Sequence, residues 1–434
     1  MNSSMREPGP VILRPMLPVE RVLSMNQCDQ TKILSVEQAL DQLLNAAKPL
    51  QPSEEVPLAL ALGRVLADDQ HSPVDVPPAD NSAMDGFALN SGDVRADGET
   101  VFDISQRIPA GAVPVPLRAG TAARIFTGAE VPPGADTVVV QEQCRWDEQQ
   151  VVIPSGIKAD SNIRPLGQDI RRGALVLQRG HRLKPQDLGL LASVGIARVP
   201  VYRRLRVALL CTGNELVEPG QVLPPGHIYN SNRYTLAGQL TALGFDCLDL
   251  GILADDADAI ERALLEAAQS ADCILTSGGV SVGEEDHVKG CVEKLGNLNL
   301  WRLAIKPGKP LAFGDVKGVP FLGLPGNPAS VFVTFAIIAR PYLLKSQGAS
   351  DYLPTPIPVI AGFSRPHAVK RQEYLRARLV LGADGIARAE LSGNQSSGVL
   401  STASAGNGFV IHRLGEAINE HQPVPFLLFS ELLF

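Results

Sequence analysis

Between residues 204 and 350, apolar strands and amphipathic helices alternate, and few folds accept that order. LRVALLC (205–211) is a continuous apolar run, as a strand covered on both faces requires. NSNRYTLAGQLTALG (230–244) has helical spacing and closes on a glycine. DCLDLGI, CILTSGG and VPFLGL read as further strands. DDADAIERALLEAAQSA, EEDHVKGCVEKLG and PASVFVTFAIIA read as the helices between and after them. Alternation at this spacing predicts a doubly wound, mostly parallel sheet.

The rest of the chain has a different texture. Residues 33–48 carry apolar residues at helical spacing behind Ser35, a candidate N-cap, and 53–69 hold a second helical stretch. The proline-rich HSPVDVPPADNSAMDG sets a boundary near residue 72. From 82 to about 172, short strands (FALN, VFDIS, TAARIF, DTVVVQEQ, QVVIP) are separated by Gly, Pro and Asp turns. PQDLGLLASVG (185–195) is a short helix, and another boundary falls near 200. Beyond about 352, PIPVIAGF, EYLRARLVL, GFVIHRL and VPFLLF form an all-β module, a barrel or a sandwich. The fold class is multidomain, α/β plus β.

Composition narrows the function classes. A hydrophobic content of 45% supports real cores, and aromatics at 5% make them aliphatic. A net charge of −7 argues against a nucleic-acid or anionic-membrane surface, both of which need basic excess. No cysteines are paired as CxxC, and Cys211, Cys247 and Cys273 lie in strand-like runs, as core residues of a reducing compartment do. No Cys/His cluster has zinc-ligand spacing. Residues 1–32 lack the uninterrupted apolar core of a signal peptide; they are expected to be a disordered extension, or to precede a true start at Met25. The apolar stretch from Ala329 to Leu344 is short for a bilayer and carries Arg340 and Pro341, so a cytoplasmic protein without membrane contact is expected.

The chemistry concentrates at strand ends. TSGGVSVGEED (276–286) puts Ser277, Gly278, Gly279, Ser281 and Gly283 between a buried strand and a helix, where backbone N–H groups can approach an anion. An ordinary tight turn is the competing reading. GLPGNP (323–328) repeats the arrangement with Pro325, Gly326, Asn327 and Pro328, the last at the first helical position. WRLAIKPGKPLAFG supplies cations at Arg302, Lys306 and Lys309, or is a solvated basic loop. Glu215 follows the first sheet strand, Asp255 and Asp256 the second, and Asp286 the third. These acids can be plain helix N-terminal residues. Their convergence with phosphate-type loops points instead to a hard, oxygen-ligated divalent cation such as Mg²⁺ beside ligand phosphates. Outside the sheet, DNSAMDG and FTGAEVPPGAD are turn-rich, and Asp85–Gly86 alone reads as a hairpin turn.

DNSAMDGFAL, IFTGAEVPPGAD, SNIRPLGQDI, CTGNEL, SGGVSVGEED, AIKPGKP and GLPGNP stand in the order found in the molybdopterin molybdenumtransferase (MoeA) family, related to the gephyrin E domain. The resemblance covers residues 33–434. It implies a helix at 33–52 packing on a molybdopterin-binding α/β domain at 200–352. It further implies a connecting domain from 53–71 with 173–199, a β-rich domain at 72–172 and a C-terminal β-barrel at 353–434. The implied reaction inserts molybdenum from molybdate into the dithiolene of adenylylated molybdopterin, with Mg²⁺-dependent loss of AMP. The implied assembly is a homodimer whose active site is shared, so that Asp85 and Thr127 reach it from the other subunit; a molybdopterin adenylyltransferase is the implied upstream partner. Asp85, Thr127, Asp169, Glu215, Asp255, Asp286, Arg302, Lys306, Pro325 and Pro328 match the family's functional positions, and of these the resemblance narrows the Mg²⁺ ligands to Glu215, Asp255 and Asp286. Arg302 stands where Lys is frequent, and Gln168 where Glu is common. Two alternatives remain open: an adenylyltransferase or nucleotide pyrophosphatase on the same α/β module, and a non-catalytic peptide-binding scaffold.

Overall fold

The computed structural model describes residues 33–49, 52–279 and 287–433. Its central sheet has seven strands in the order Ile33–Leu34, Gly296–Leu303, Pro310–Val316, Val319–Leu324, Cys273–Ser277, Arg206–Thr212, Asp246–Leu253. The last four run parallel, and Pro310–Val316 is antiparallel to both its neighbours. The sheet is therefore mixed, which qualifies the expectation of a mostly parallel one. The difference lies in a hairpin whose turn, Lys317–Gly318, has φ of 52° and 84°. Two successive positive φ values suit the right-handed twist of the flanking strands.

Both faces of the sheet are covered, and the strand period sorts residues between them. Val207, Leu209, Cys273, Leu275, Leu322 and Leu324 pack with helices Val36–Ala46 and Ser231–Ala242 and with the helical run from Pro328. Ala208, Leu210, Ile274, Ala312 and Phe321 pack with helices Ala257–Ser270 and His287–Leu295. That double covering explains the uninterrupted apolar runs. The run Pro328–Ser346 is long and apolar enough to cross a membrane, but 89% of it is buried inside the molecule as a core helix. It passes through Pro341 by way of a π-helical turn, Phe335–Ala339, which rearranges the backbone pairing just before the proline. Ser35 closes a capping box on the first helix: its Oγ accepts from Gln38 N–H at 3.1 Å, and Gln38 Oε1 accepts from Ser35 N–H at 3.0 Å.

The helix expected over 53–69 is not formed. Ser53–Pro57 is a strand paired with Arg198–Tyr202, followed by a single 3₁₀ turn, Leu58–Leu60. Helix formers such as Glu54 and Leu58 yield here to distant pairing, which also buries Val56 against Leu66, Leu191, Val199 and Val201. The β-rich region is a six-stranded sheet of Gly86–Leu89, Thr100–Ile108, Thr121–Ile125, Thr137–Val140, Gln150–Ile153 and the short Arg145–Trp146. At the C-terminus, five strands close on themselves in the order Gln372–Leu381, Ala387–Leu391, Ile357–Ala361, Pro423–Leu428, Gly408–His412, so the barrel alternative is the observed one. Ile305–Lys306 of the α/β domain adds alongside this barrel, in register with Gln372–Glu373.

Candidate functional site

A cavity of about 740 Å³ opens at the carboxyl ends of the parallel strands, where open α/β sheets bind ligands. One wall is the turn Ser277–Gly279, with φ of 87° at Gly278 and 66° at Gly279. Only glycine suits these backbones, and a Cβ at Gly279 would run into the Val288 side chain. The second wall is Pro325–Pro328, where Pro328 begins the following helix. Asn232 fastens the two loops together: its Nδ2 donates to Ser277 Oγ at 2.9 Å and to Gly326 O at 2.6 Å. Lys306 and Lys309 line the third side. The barrel closes the fourth with Arg371, Gln395, Ser396 and Ser397. This barrel loop is seated on the α/β domain by Ala329 N–H donating to Ser397 O, 2.9 Å. It is ordered from behind by the fully buried Arg376, whose guanidinium donates to Ser396 O at 3.0 Å.

Glu215 lines the cavity, and among the described residues its carboxylate has no hydrogen-bond or ion-pair partner. Asp255 is tied to the same turn, its N–H donating to Asn214 Oδ1 at 3.2 Å. Asp256 is the N-cap of Ala257–Ser270, accepting from Ala259 N–H at 2.8 Å, so for that residue the helix-terminal reading holds. Asp286, Ser281 and Gly283 lie outside the described residues. Among those described, no three His, Cys, Asp or Glu side chains form a metal-ready group. Arg302, opposite Pro310 in the sheet, is exposed and does not line the cavity.

Asp85, Thr127 and Asp169 belong to the β-rich region and line no part of this cavity. Asp85 is no hairpin turn. It precedes the interior strand Gly86–Leu89, and its Oδ1 accepts from Thr127 N–H at 2.7 Å and Thr127 Oγ1 at 2.8 Å. These two hydrogen bonds, backbone first, hold its carboxyl below the usual range, with a smaller contribution from the charge of Arg124. Asp169 N–H donates to Val76 O at 2.9 Å.

Sequence reasoning missed Asn232, Arg371 and the serines of the barrel loop. A signal existed for the last: SGNQSSG (392–398) is a run of small polar residues between two strands. Nothing local marks Asn232, which sits in the first turn of an ordinary helix.

Two glycine-bearing loops, two lysines and an arginine line one cavity, with the Glu215 carboxylate, unpartnered among the described residues, beside them. Fold and cavity together define a doubly wound α/β protein with a crevice at the carboxyl ends of its strands. Three family models cover the chain in sequence: the MoeA N-terminal region (domain I and II) over 34–195, the probable molybdopterin binding domain over 208–345, and the MoeA C-terminal region (domain IV) over 358–429. The chain is 38% identical over 381 residues to the molybdopterin molybdenumtransferase of Haemophilus influenzae, covering 87% of this chain and 94% of that one. It is 36% identical over 399 residues to the namesake enzyme of Nostoc, covering 89% and 91%. A crystal structure of the Pyrococcus horikoshii molybdopterin biosynthesis MoeA protein superposes with a TM-score of 0.78 at 29% identity, covering 92% of this chain and 100% of that one. The chain belongs to the MoeA family of molybdopterin molybdenumtransferases, enzymes of molybdenum cofactor biosynthesis.

Proposed function

We propose that the cavity binds adenylylated molybdopterin and molybdate, that molybdenum enters the dithiolene of the bound substrate, and that the phosphoanhydride is cleaved with loss of AMP. The observation that carries this reading is the pairing of two glycine-bearing loops, stapled by Asn232, with Lys306 and Lys309 across the same cavity. Backbone N–H groups left free at these turns would take phosphate oxygens; those of Gly278 and Ala329 are already given to Leu324 O and Ser397 O. The lysines offset the phosphate charge. The residues also fit a hard divalent cation, because the Glu215 carboxylate is unpartnered among the described residues and the turn that carries it also holds Asp255. Glu215 and Asp255, with Asp286 from the segment not described, would hold Mg²⁺. When bound, that ion supplies charge neutralisation at the phosphoanhydride.

The protein's own thiols are poor candidates for sulfur ligands. Burial pushes Cys211 and Cys247 up to about 11 and raises Cys273 as well, so each stays a neutral core thiol. Sulfur is left to the substrate. The reading further comprises a cytoplasmic homodimer in which Asp85 and Thr127 of one chain complete the cavity of the other. An adenylyl-transferring enzyme would deliver the substrate. Single-turnover release of AMP from adenylylated molybdopterin with Mg²⁺, with and without molybdate, tests the reaction. Molybdate-dependent release is the expected result; a folded protein that binds the substrate but releases nothing would move the assignment to a binding scaffold.

A further inference from the structure

Among the described residues, one buried acid has a single partner, and that partner is a cavity residue. Glu373, 6% exposed in barrel strand Gln372–Leu381, accepts from Lys306 Nζ at 2.8 Å through Oε1. Its Oε2 is buried and has no partner among the described residues. Two other acids shielded from solvent have several partners. Asp187 Oδ2 takes both Lys184 N–H and the His181 ring, and the half-buried Asp272 takes both arms of Arg203 and the Arg206 N–H. Those are structural networks. A half-satisfied buried carboxylate is destabilising unless something else retains it.

Strand register shows what Glu373 is placed to do. Lys306 pairs with Glu373 across one strand boundary, and Glu373 pairs with His412 across the next. Residues in direct register share a face of the sheet, so the three stand in a row from the cavity into the barrel. His412 is 1% exposed; its Nε2 meets Glu416 O at 2.8 Å and so carries the proton, leaving Nδ1 without a partner among the described residues. The row crosses the junction between the domains. Lys306 belongs to the α/β domain, Glu373 and His412 to the barrel.

We propose that Glu373 is a positioning residue, which holds the Lys306 ammonium at the cavity wall from the neighbouring domain and makes its placement depend on correct seating of the barrel. The proposal rests on the reaction proposed above for its kinetic consequence, but not for its structural one. Glu373→Gln removes the charge and keeps the shape. Single-turnover AMP release is compared in wild type, Glu373→Gln, Lys306→Met and the double variant, with substrate varied. The rate constant should fall about 10- to 100-fold, as misplacement of a charge that stabilises the transition state does, while half-saturation moves less than about threefold. The double variant should be no slower than Lys306→Met alone, because Glu373 acts only through Lys306. Additive losses, or a full rate in Glu373→Gln, overturn the proposal.

The ion pair is also read without the reaction. Acylation of Lys306 by a small activated ester in the full chain is located by peptide mass spectrometry, with Lys309 as the internal reference. Glu373→Gln should raise Lys306 labelling several-fold, and Glu373→Asp, which keeps the charge but retracts the carboxylate, should fall between. Equal labelling in all three proteins overturns the positioning role. Changed labelling in a protein whose wild type releases no AMP leaves the positioning intact and sinks the reaction reading alone.

Discussion

At the scale of single residues, the cavity is marked by groups that lack partners or have unexpected ones. Among the described residues the Glu215 carboxylate makes no hydrogen bond or ion pair, so removing its charge should spare stability and affect the cation. Glu215→Gln is expected to keep its melting temperature while the Mg²⁺ concentration for half-maximal AMP release rises. The rise should reach at least the ~10- to 100-fold that even an outer-shell partner of a metal costs. An unchanged Mg²⁺ requirement would remove Glu215 from the cation site. Asp272 presents the opposite case. Its burial alone would raise its carboxyl, but hydrogen bonds from the Arg203 guanidinium and the Arg206 N–H, with the charges of both arginines, outweigh burial and hold it low. A depressed folded value contributes stability above the ordinary carboxylate range, and that stability is lost as pH falls through the folded value. Asp272→Asn should therefore lose about 1–3 kcal/mol near pH 7 and show a shallower loss than wild type below pH ~4. Urea titrations at the two pH values check this.

Elements show where local rules suffice and where they do not. The first helix is announced by Ser35, and the capping box is formed by the residues that predict it. Ser35→Ala should destabilise by about 1 kcal/mol, read as a lowered urea midpoint, with no effect on AMP release. The glycine turn at 278–279 is equally local in origin but functional in consequence. Gly279→Ala would force a side chain onto a backbone at φ 66° and into Val288, on the helix that follows the loop. Strain of about 1–3 kcal/mol is expected, and phosphate-type ligands should bind at least about tenfold more weakly in equilibrium dialysis. By contrast, the strand Ser53–Pro57 reads locally as helix. Its conformation is set by a partner strand, Arg198–Tyr202, far away in the chain. Asp85–Gly86 misleads for a related reason. Gly86 lies where Val139 leaves no room for a Cβ, inside a sheet rather than at a hairpin tip.

For the whole molecule, the cavity joins two domains, and the Asp85–Thr127 pair stands in a third. If the β-rich region of one subunit completes the cavity of another, Asp85→Asn and Glu215→Gln should each release little AMP at a Mg²⁺ concentration that just saturates wild type, and should complement at that concentration when co-expressed. Random pairing leaves half the dimers mixed, each with one intact site of two, so recovery to about a quarter of wild-type AMP release is expected for a symmetric dimer. No recovery from a verified mixture of dimers would place both residues in the same chain's site or would separate Asp85 from the reaction.

The sequence by itself determined the parts whose causes are local: the alternation that builds a doubly wound sheet, the capped first helix, and the glycine turns at strand ends. Seven short segments in order also determined the family, because their order survives even where each alone is only a good turn. The tertiary structure alone decided which turns face one another. Asn232 joins Ser277 to Gly326, Thr127 binds Asp85, and Glu373 reaches Lys306 across a domain junction. The physical reason is the range of the interaction. Caps, turns and periodicity are settled within a few residues, whereas these hydrogen bonds join residues tens of positions apart, and nothing near either partner records the other.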